Sequence, residues 1–293
     1  MKIKAFISFL SDEIFYNGHF QTWGSLAILI SSCQLINISI EWKLLVIVYL
    51  SFYLLYLHDR YRHISSDSQT NIVRSQHVAK IYPYIPLILV FGLILLSVML
   101  YLFSNIYASV FIILITSFGF LYPIYFKGLT KKIVAFKNFY VASVFSLLVL
   151  LPIVYYKVHL NTVTAIVVVA MLAFTFLRGL MMQFFLDIKD IKVDKSEGLL
   201  TLGVLWGKEK VYTLINIMNI FTSLAFPISY FLFPQLALHS SILFLTFLAV
   251  WNFFFFEMAR RGNFFGFILG SGEFIYWPLF VFIGKVFTSF FSF

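Results

Sequence analysis

Three aspartates in one polar segment have the spacing of a cation site. Asp187, Asp190 and Asp194 stand at i, i+3 and i+7, which places their carboxylates on one face of a continuing helix. Carboxylates this close repel one another unless a cation lies among them, and an all-oxygen set suits a hard ion such as Mg²⁺. Mg²⁺ usually takes one or two carboxylates and completes its shell with water and phosphate. The segment therefore predicts a phosphate or diphosphate held through Mg²⁺, and Gly198 allows the helix to end.

The composition indicates that this acidic segment belongs to a membrane protein. Hydrophobic residues make up 61% of the 293 residues and charged residues only 11%, whereas soluble domains have about 45–50% and about 25%. A soluble globular enzyme and a disordered chain are thereby excluded. The single cysteine, Cys33, also excludes an internal disulfide and a cysteine-based metal cluster.

Continuous apolar runs predict the helices that carry the polar segments. A membrane-spanning helix needs about 20 apolar residues, and runs without a period of two argue against a barrel. Residues 1–19 read as a short amphipathic segment on the membrane surface, within one domain over 1–293. Nine spans are expected at about 20–40, 42–58, 83–104, 106–124, 138–156, 160–186, 211–233, 237–257 and 273–291.

The basic residues predict the orientation. With the N-terminus in the cytoplasm, 17 of the 21 lysines and arginines fall at the N-terminus or in the loops after spans two, four, six and eight. Cytoplasmic loops carry such an excess, so the net charge of +9 is read as topology and no nucleic-acid partner is expected. We expect an integral, multi-pass protein of a bacterial inner membrane, with its N-terminus and active site cytoplasmic.

The segment from Asp187 to Leu202, followed by Leu205-Trp206-Gly207-Lys208, closely resembles the second aspartate motif of the UbiA superfamily of intramembrane prenyltransferases. The resemblance implies an all-α bundle of nine transmembrane helices with a central cavity open to the cytoplasmic face. It also implies that Asp187, Asp190 and Asp194 bind Mg²⁺ and that the last two are catalytic.

A first motif of this family, Asn-x3-Asp-x3-Asp with an arginine seven residues on, has a counterpart here that departs from it. Asp59 stands in the place of the asparagine and His63 in that of the first aspartate, while Asp67 and Arg74 match. A second register aligns Asp59-Arg60 with the family's Asp-Arg pair but needs an insertion before Arg74. The resemblance implies that Asp67 binds metal and is catalytic, and that Asp59, His63 and Arg74 contact substrate.

The chemistry of this first motif is altered at one position. Residues 59, 63 and 67 share a helix face, yet neutral imidazole suits Zn, Cu, Fe or Ni better than Mg²⁺. His63 is then either a supporting or diphosphate-bonding group, or a sign that the site has changed reaction or lost activity.

Other polar residues are candidates for substrate contact. Lys127 lies in a stretch similar to the family's Tyr…Lys…Lys-Asn segment and is the first candidate there. The next candidates are Lys131, Lys132 and Lys137. Arg178 lies inside the sixth span, where a charge costs about 2.5–3.5 kcal/mol, and it is expected either to orient the acidic segment or the substrate or to bind a structural partner. Gln183 precedes Asp187 by one helical turn and is expected to support the site.

The function implied by the resemblance is Mg²⁺-dependent transfer of a prenyl group from an allylic prenyl diphosphate to a lipophilic acceptor of unknown identity, beside membrane lipid. Two alternatives stay open. A terpene cyclase on the same scaffold would capture the cation within its own chain, and a catalytically degenerate member would only bind lipid.

Overall fold

The computed structural model describes residues 10–232 and 234–291, with the side chains of all of these except residues 66, 67, 69, 70, 234–240 and 291. Helices account for nearly all of the described chain. They are α1 (His19–Leu35), α2 (Trp42–Thr70), α3 (Ile72–Ile81), α4 (Ile85–Phe103), α5 (Ile106–Leu121), α6 (Phe136–Leu147), α7 (Leu151–Tyr156), α8 (Thr162–Asp187), α9 (Ile191–Ser196), α10 (Leu202–Trp206), α11 (Lys208–Leu232), α12 (Leu248–Arg260), α13 (Phe264–Ser271) and α14 (Glu273–Phe291).

Eight helical stretches in the described ranges are long and apolar enough to cross a membrane. Eight of the nine predicted runs have counterparts among them. The first predicted run, 20–40, corresponds to α1, which has only 17 residues. The chain leaves the helix after Leu35 and adopts a left-handed conformation at Asn37, with φ 57°. Because about 17 residues is the lower limit for a span, the bundle is the predicted all-α membrane architecture with a short first helix.

The central helices pack around one apolar core. Helix α6 lies along α8, α1 lies along α14, and α2 contacts both α1 and α4. Ile28, Ile47, Leu148 and Trp277 are fully or almost fully buried in this core. The outer helices instead expose large side chains, such as Phe91 at 63% on α4. A continuous apolar exterior of this kind is compatible with lipid rather than water as the surrounding medium.

A buried polar network fastens four of these helices together. Arg178 on α8 has no exposed surface, and its Nε donates to Glu273 Oε1 on α14 at 2.6 Å. Its Nη1 donates to Asn219 Oδ1 on α11 at 2.8 Å, while Asn252 on α12 donates to Glu273 Oε2. A buried charge needs such a partner. The Arg178 guanidinium is therefore bound by side chains inside the bundle, which is the structural one of its two expected roles.

The described part of the N-terminal segment contacts the bundle. Residues 1–9 of the predicted interfacial segment lie outside the described ranges, and residues 10–16 are helical. Glu13 accepts a hydrogen bond from His77 of α3 at 3.0 Å and lies 3.5 Å from His19. Because Arg60 of α2 donates to the backbone oxygen of Tyr16, this segment is attached to α1, α2 and α3.

Candidate functional site

A cavity of about 330 Å³ lies between α1, α2, α6, α8 and the α13–α14 junction. One end of it is polar and the rest is apolar and aromatic. The charged residues of its lining are Asp59, Arg60, Arg74, Lys137, Asp187, Lys189 and Asp190. The cavity therefore gathers acids and bases from three parts of the sequence, namely residues 59–74, Lys137 and residues 187–190.

The second acidic segment does not form one uninterrupted α-helix. Helix α8 ends at Asp187, a 3₁₀ turn covers Ile188–Asp190, and α9 follows. A 3₁₀ turn advances by about 20° more per residue than an α-helix, so the chain rotates as it passes Asp190. As a result Asp187 and Asp190 line the cavity, whereas Asp194 accepts a hydrogen bond from the Thr201 hydroxyl at 3.1 Å.

Gly198 ends α9 as the sequence predicts. Its φ is +71°, and the Gly198 and Leu199 amides donate to the carbonyls of Lys195 and Asp194. These two bonds form the Schellman arrangement that commonly closes helices. The turn sends the chain back toward Thr201, which explains why the Asp194 carboxylate is held by its own loop.

Asp187 and Asp190 differ in their partners. Lys137 Nζ lies 2.9 Å from Asp187 Oδ1, and Asn138 Nδ2 donates to Asp187 Oδ2 at 2.7 Å. Asp190 Oδ1 is buried without a hydrogen-bond partner in the described part of the chain. A buried carboxylate oxygen with no donor is costly and is available to a cation. Gln183 lines the same cavity one turn before Asp187.

The first segment lies on the C-terminal part of α2 and on α3. Asp59 lines the cavity, and His63 Nδ1 lies 3.0 Å from Asp59 Oδ1. His63 thus lies one helical turn after Asp59 and contacts its carboxylate. The side chain of Asp67 lies outside the described residues, so its predicted metal role stays a prediction. Arg74, at the start of α3, lines the cavity opposite α8.

Of the four lysines expected between Lys127 and Lys137, only Lys137 lines the cavity. Lys127 Nζ lies 2.9 Å from Glu197 Oε2, so this lysine is paired with a loop carboxylate and is not part of the cavity lining. Lys137 lies in the first turn of α6, next to Asn138. The adjacent Lys-Asn pair is the sequence signal that favours Lys137 over Lys127 as the lysine of the site. Lys189 also lines the cavity and donates to Asn71 Oδ1 at 3.2 Å. Its position inside the acidic segment gave no comparable signal.

The two loops that frame the polar end are joined by backbone hydrogen bonds. The Leu200 amide donates to the Thr130 carbonyl at 2.9 Å, and the Ala135 amide donates to the Leu200 carbonyl at 2.9 Å. Together with Lys127–Glu197, these bonds fix the loop before α6 against the loop after α9. Lys137 and Asp187, which form an ion pair at 2.9 Å, lie next to these joined loops.

The described side chains contain no group of three or more His, Cys, Asp or Glu that is arranged to hold a metal. Asp187 and Asp190 are two carboxylates on one wall, and one of their oxygens is unsatisfied. Two carboxylates, with water and phosphate oxygens, are a normal set for Mg²⁺. The arrangement thus fits Mg²⁺ bound together with an anion, and it does not fit a closed all-protein cage.

Comparison with known proteins identifies the family. The model of the UbiA prenyltransferase family matches residues 85–267, a region that includes the second acidic segment and begins after Arg74. A search of the curated proteins gave no match.

Three solved structures share the fold. A UbiA homologue from Aeropyrum pernix K1 superposes with a TM-score of 0.66 at 14% identity, covering 92% of this chain and 98% of that chain. A UbiA homologue from Archaeoglobus fulgidus bound to GPP and Mg²⁺ gives 0.61 at 13% identity, covering 94% and 99%. A digeranylgeranylglyceryl phosphate synthase gives 0.57 at 16% identity, covering 96% and 98%. Because the family model spans more than half of the chain, this protein belongs to the UbiA prenyltransferase family.

Proposed function

We propose that this protein transfers a prenyl group from an allylic prenyl diphosphate to a lipophilic acceptor within the membrane. One observation carries the proposal. Asp187 and Asp190 share a single cavity with Arg74, Lys137 and Lys189, and the same cavity has a large apolar and aromatic lining. A diphosphate head needs the first set and a hydrocarbon tail needs the second. Family membership supports the same reaction class.

The magnesium ion of this reaction would be held by the second acidic segment. Asp190 offers the unpartnered buried oxygen and Asp187 lies beside it on the same wall. Asp67, on the neighbouring helix α2, is proposed as a further ligand. When bound, Mg²⁺ neutralises the charge that accumulates on the departing diphosphate. Asp194 would act by holding the Thr201 loop in place.

The reaction breaks the bond between the allylic carbon and the diphosphate oxygen, and the electron pair leaves with the oxygen. Lys137, Arg74 and Lys189 are the hydrogen-bond donors that would stabilise this anion at the polar end. The acceptor atom then forms a bond to the allylic carbon and gives up its proton to the released diphosphate. The aromatic lining contributes here, since Tyr56, Tyr122 and Tyr140 belong to it and aromatic faces stabilise a nearby cation.

We also infer that the polar end of the cavity faces the cytoplasm and that the protein is an inner-membrane enzyme. The loops around the polar end carry Lys131, Lys132, Lys192 and Lys195, and an excess of such residues is typical of cytoplasmic loops.

The test is turnover by the purified protein in lipid nanodiscs with Mg²⁺, a series of prenyl diphosphates and a lipid extract as acceptor source, with products identified by mass spectrometry. Diphosphate release that depends on Mg²⁺ and yields a prenylated lipid supports the proposal. A cyclic hydrocarbon formed without acceptor would favour the cyclase. Binding of prenyl diphosphate without any release would indicate the degenerate member.

A further inference from the structure

Three phenylalanines from three helices meet at the apolar end of the cavity. Phe52 of α2, Phe145 of α6 and Phe274 of α14 all line it. The ring centres of Phe52 and Phe145 are 5.9 Å apart, and those of Phe145 and Phe274 are 5.6 Å apart. Each of the three is at most 6% exposed. They form a continuous aromatic surface, here called the floor, at the end of the cavity remote from the acids.

The floor is supported from below. Phe274 packs against Trp277 at a ring distance of 5.0 Å, and Trp277 donates to Glu273 Oε1 at 3.2 Å. Glu273 is in turn bound to Arg178. The buried polar network therefore fixes the part of α14 that carries Phe274, so the floor is a rigid wall rather than a loose side-chain cluster.

The helix geometry gives the depth of the cavity. Lys137 and Phe145 lie on the same face of α6, eight residues apart, which is about 12 Å at about 1.5 Å per residue. Asp59 and Phe52 are seven residues apart on α2, or about 10 Å. Carbon–carbon bonds of about 1.5 Å make an extended isoprene unit about 5 Å long. The space between the polar end and the floor therefore matches about two such units.

A second, much smaller cavity of about 10 Å³ lies beyond the floor. Its lining includes Val48, Ile112 and Leu148, together with Phe52, which also lines the main cavity. Phe52 lines both spaces and is here called the partition between them. Its removal would extend the main cavity toward α5 without moving any helix.

We propose that the floor formed by Phe52, Phe145 and Phe274 makes this protein selective for short prenyl diphosphates of about ten carbons, with Phe52 as the residue that stops longer chains. The inference rests on the proposed function, because it concerns the tail of the same substrate. It assigns the substrate length from this chain's own side chains.

The first test uses the unmodified protein in nanodiscs with Mg²⁺ and measures dissociation constants for diphosphates with chains of five, ten, fifteen and twenty carbons. We expect the tightest binding at ten carbons and at least about tenfold weaker binding at fifteen and twenty, since the extra units must be accommodated by displacing buried rings. Equal affinity for ten, fifteen and twenty carbons would overturn the floor and leave the proposed function intact. Failure to bind any of the four would contradict the proposed function itself.

The second test removes the partition. Phe52→Ala should improve the affinity for fifteen carbons relative to ten carbons by about tenfold or more, because it joins the two cavities. Phe226→Ala is the matched control, since Phe226 is a buried core phenylalanine, 3% exposed, that lines neither cavity. An unchanged preference in Phe52→Ala would contradict the assignment. If that variant does not fold, Phe52→Leu makes a smaller opening, and the length profile of the unmodified protein remains decisive.

Discussion

Lys137 Nζ lies 2.9 Å from Asp187 Oδ1, so the first turn of α6 and the last turn of α8 meet at the polar end of the cavity. This pair combines a base that can contact a diphosphate with an acid that can contact a metal. Asn138 donates to the other oxygen of Asp187, which fixes the orientation of the carboxylate. The site is therefore organised before any substrate enters it.

Removing the lysine of this pair should weaken diphosphate binding. We expect Lys137→Gln to reduce the affinity for geranyl diphosphate and Mg²⁺ by roughly tenfold to a hundredfold, the size of one hydrogen bond to a charged group. Lys132→Gln is the control, because Lys132 is an exposed lysine of the preceding loop. Isothermal titration calorimetry measures both, and equal effects of the two substitutions would contradict the role of Lys137.

Breaking the buried ion pair should lower stability. Glu273→Ala leaves the Arg178 guanidinium buried without its carboxylate, which costs about 3–5 kcal/mol in free energy of unfolding. The thermal midpoint in detergent should fall accordingly, whereas Glu257→Gln, at the surface pair with Arg261, should change it little. The double variant Arg178→Met with Glu273→Leu should recover much of the loss, because it removes both charges. A lack of recovery would show that the network does more than compensate charge.

The conformation of Gly198 can be tested separately from the space around it. A Cβ atom at either Gly198 or Gly128 would meet no heavy atom within 4 Å, but only Gly198 has a positive φ, of +71°. Gly198→Ala should therefore cost about 1–2 kcal/mol of stability from backbone strain alone, and Gly128→Ala should be nearly neutral. The measurement is the thermal midpoint of each variant. Equal midpoints for Gly198→Ala and Gly128→Ala would contradict the strain argument.

The contacts of Glu13 predict a pH dependence in the acid range. The contact with His19 is the largest cause that lowers the pKa of Glu13 from 4.5 to about 2. A depressed pKa stabilises the folded state above the unfolded-state value, and this contribution is lost as the pH falls from about 4.5 toward 2. Unmodified protein should therefore be more stable than Glu13→Gln at neutral pH, and the difference should shrink on acidification. A difference in thermal midpoint that is constant between pH 6 and pH 3 would contradict the assignment.

Much of the fold can be predicted from the sequence, because each membrane helix is a continuous run of about 20 apolar residues. The runs predict all the main spans, and only the first was placed too long, since isoleucines continue after Leu35 at positions 36, 38 and 40 although the chain turns at Asn37. Period and composition carry no information on a single left-handed residue. Gly198, whose φ is +71°, was predictable because glycine itself is the signal.

Individual residues of the site could be predicted from the sequence, but their arrangement in three dimensions could not. The spacing of Asp187, Asp190 and Asp194 suggested one shared face, but a 3₁₀ turn separates the last of them from the cavity. Arg178 looked like a site residue because it is charged within a span. Its partner Glu273 lies 95 positions away, and such a pairing depends on tertiary packing that no local pattern encodes.

The most direct test of the proposed site compares Asp190→Asn with Asp194→Asn in Mg²⁺-dependent binding of geranyl diphosphate. Asp190 offers a buried oxygen to the cavity, whereas Asp194 is bound to Thr201. We predict that Asp190→Asn weakens binding by roughly a hundredfold and abolishes its dependence on Mg²⁺. Asp194→Asn should mainly lower the thermal midpoint. Undiminished, Mg²⁺-dependent binding by Asp190→Asn would contradict the account.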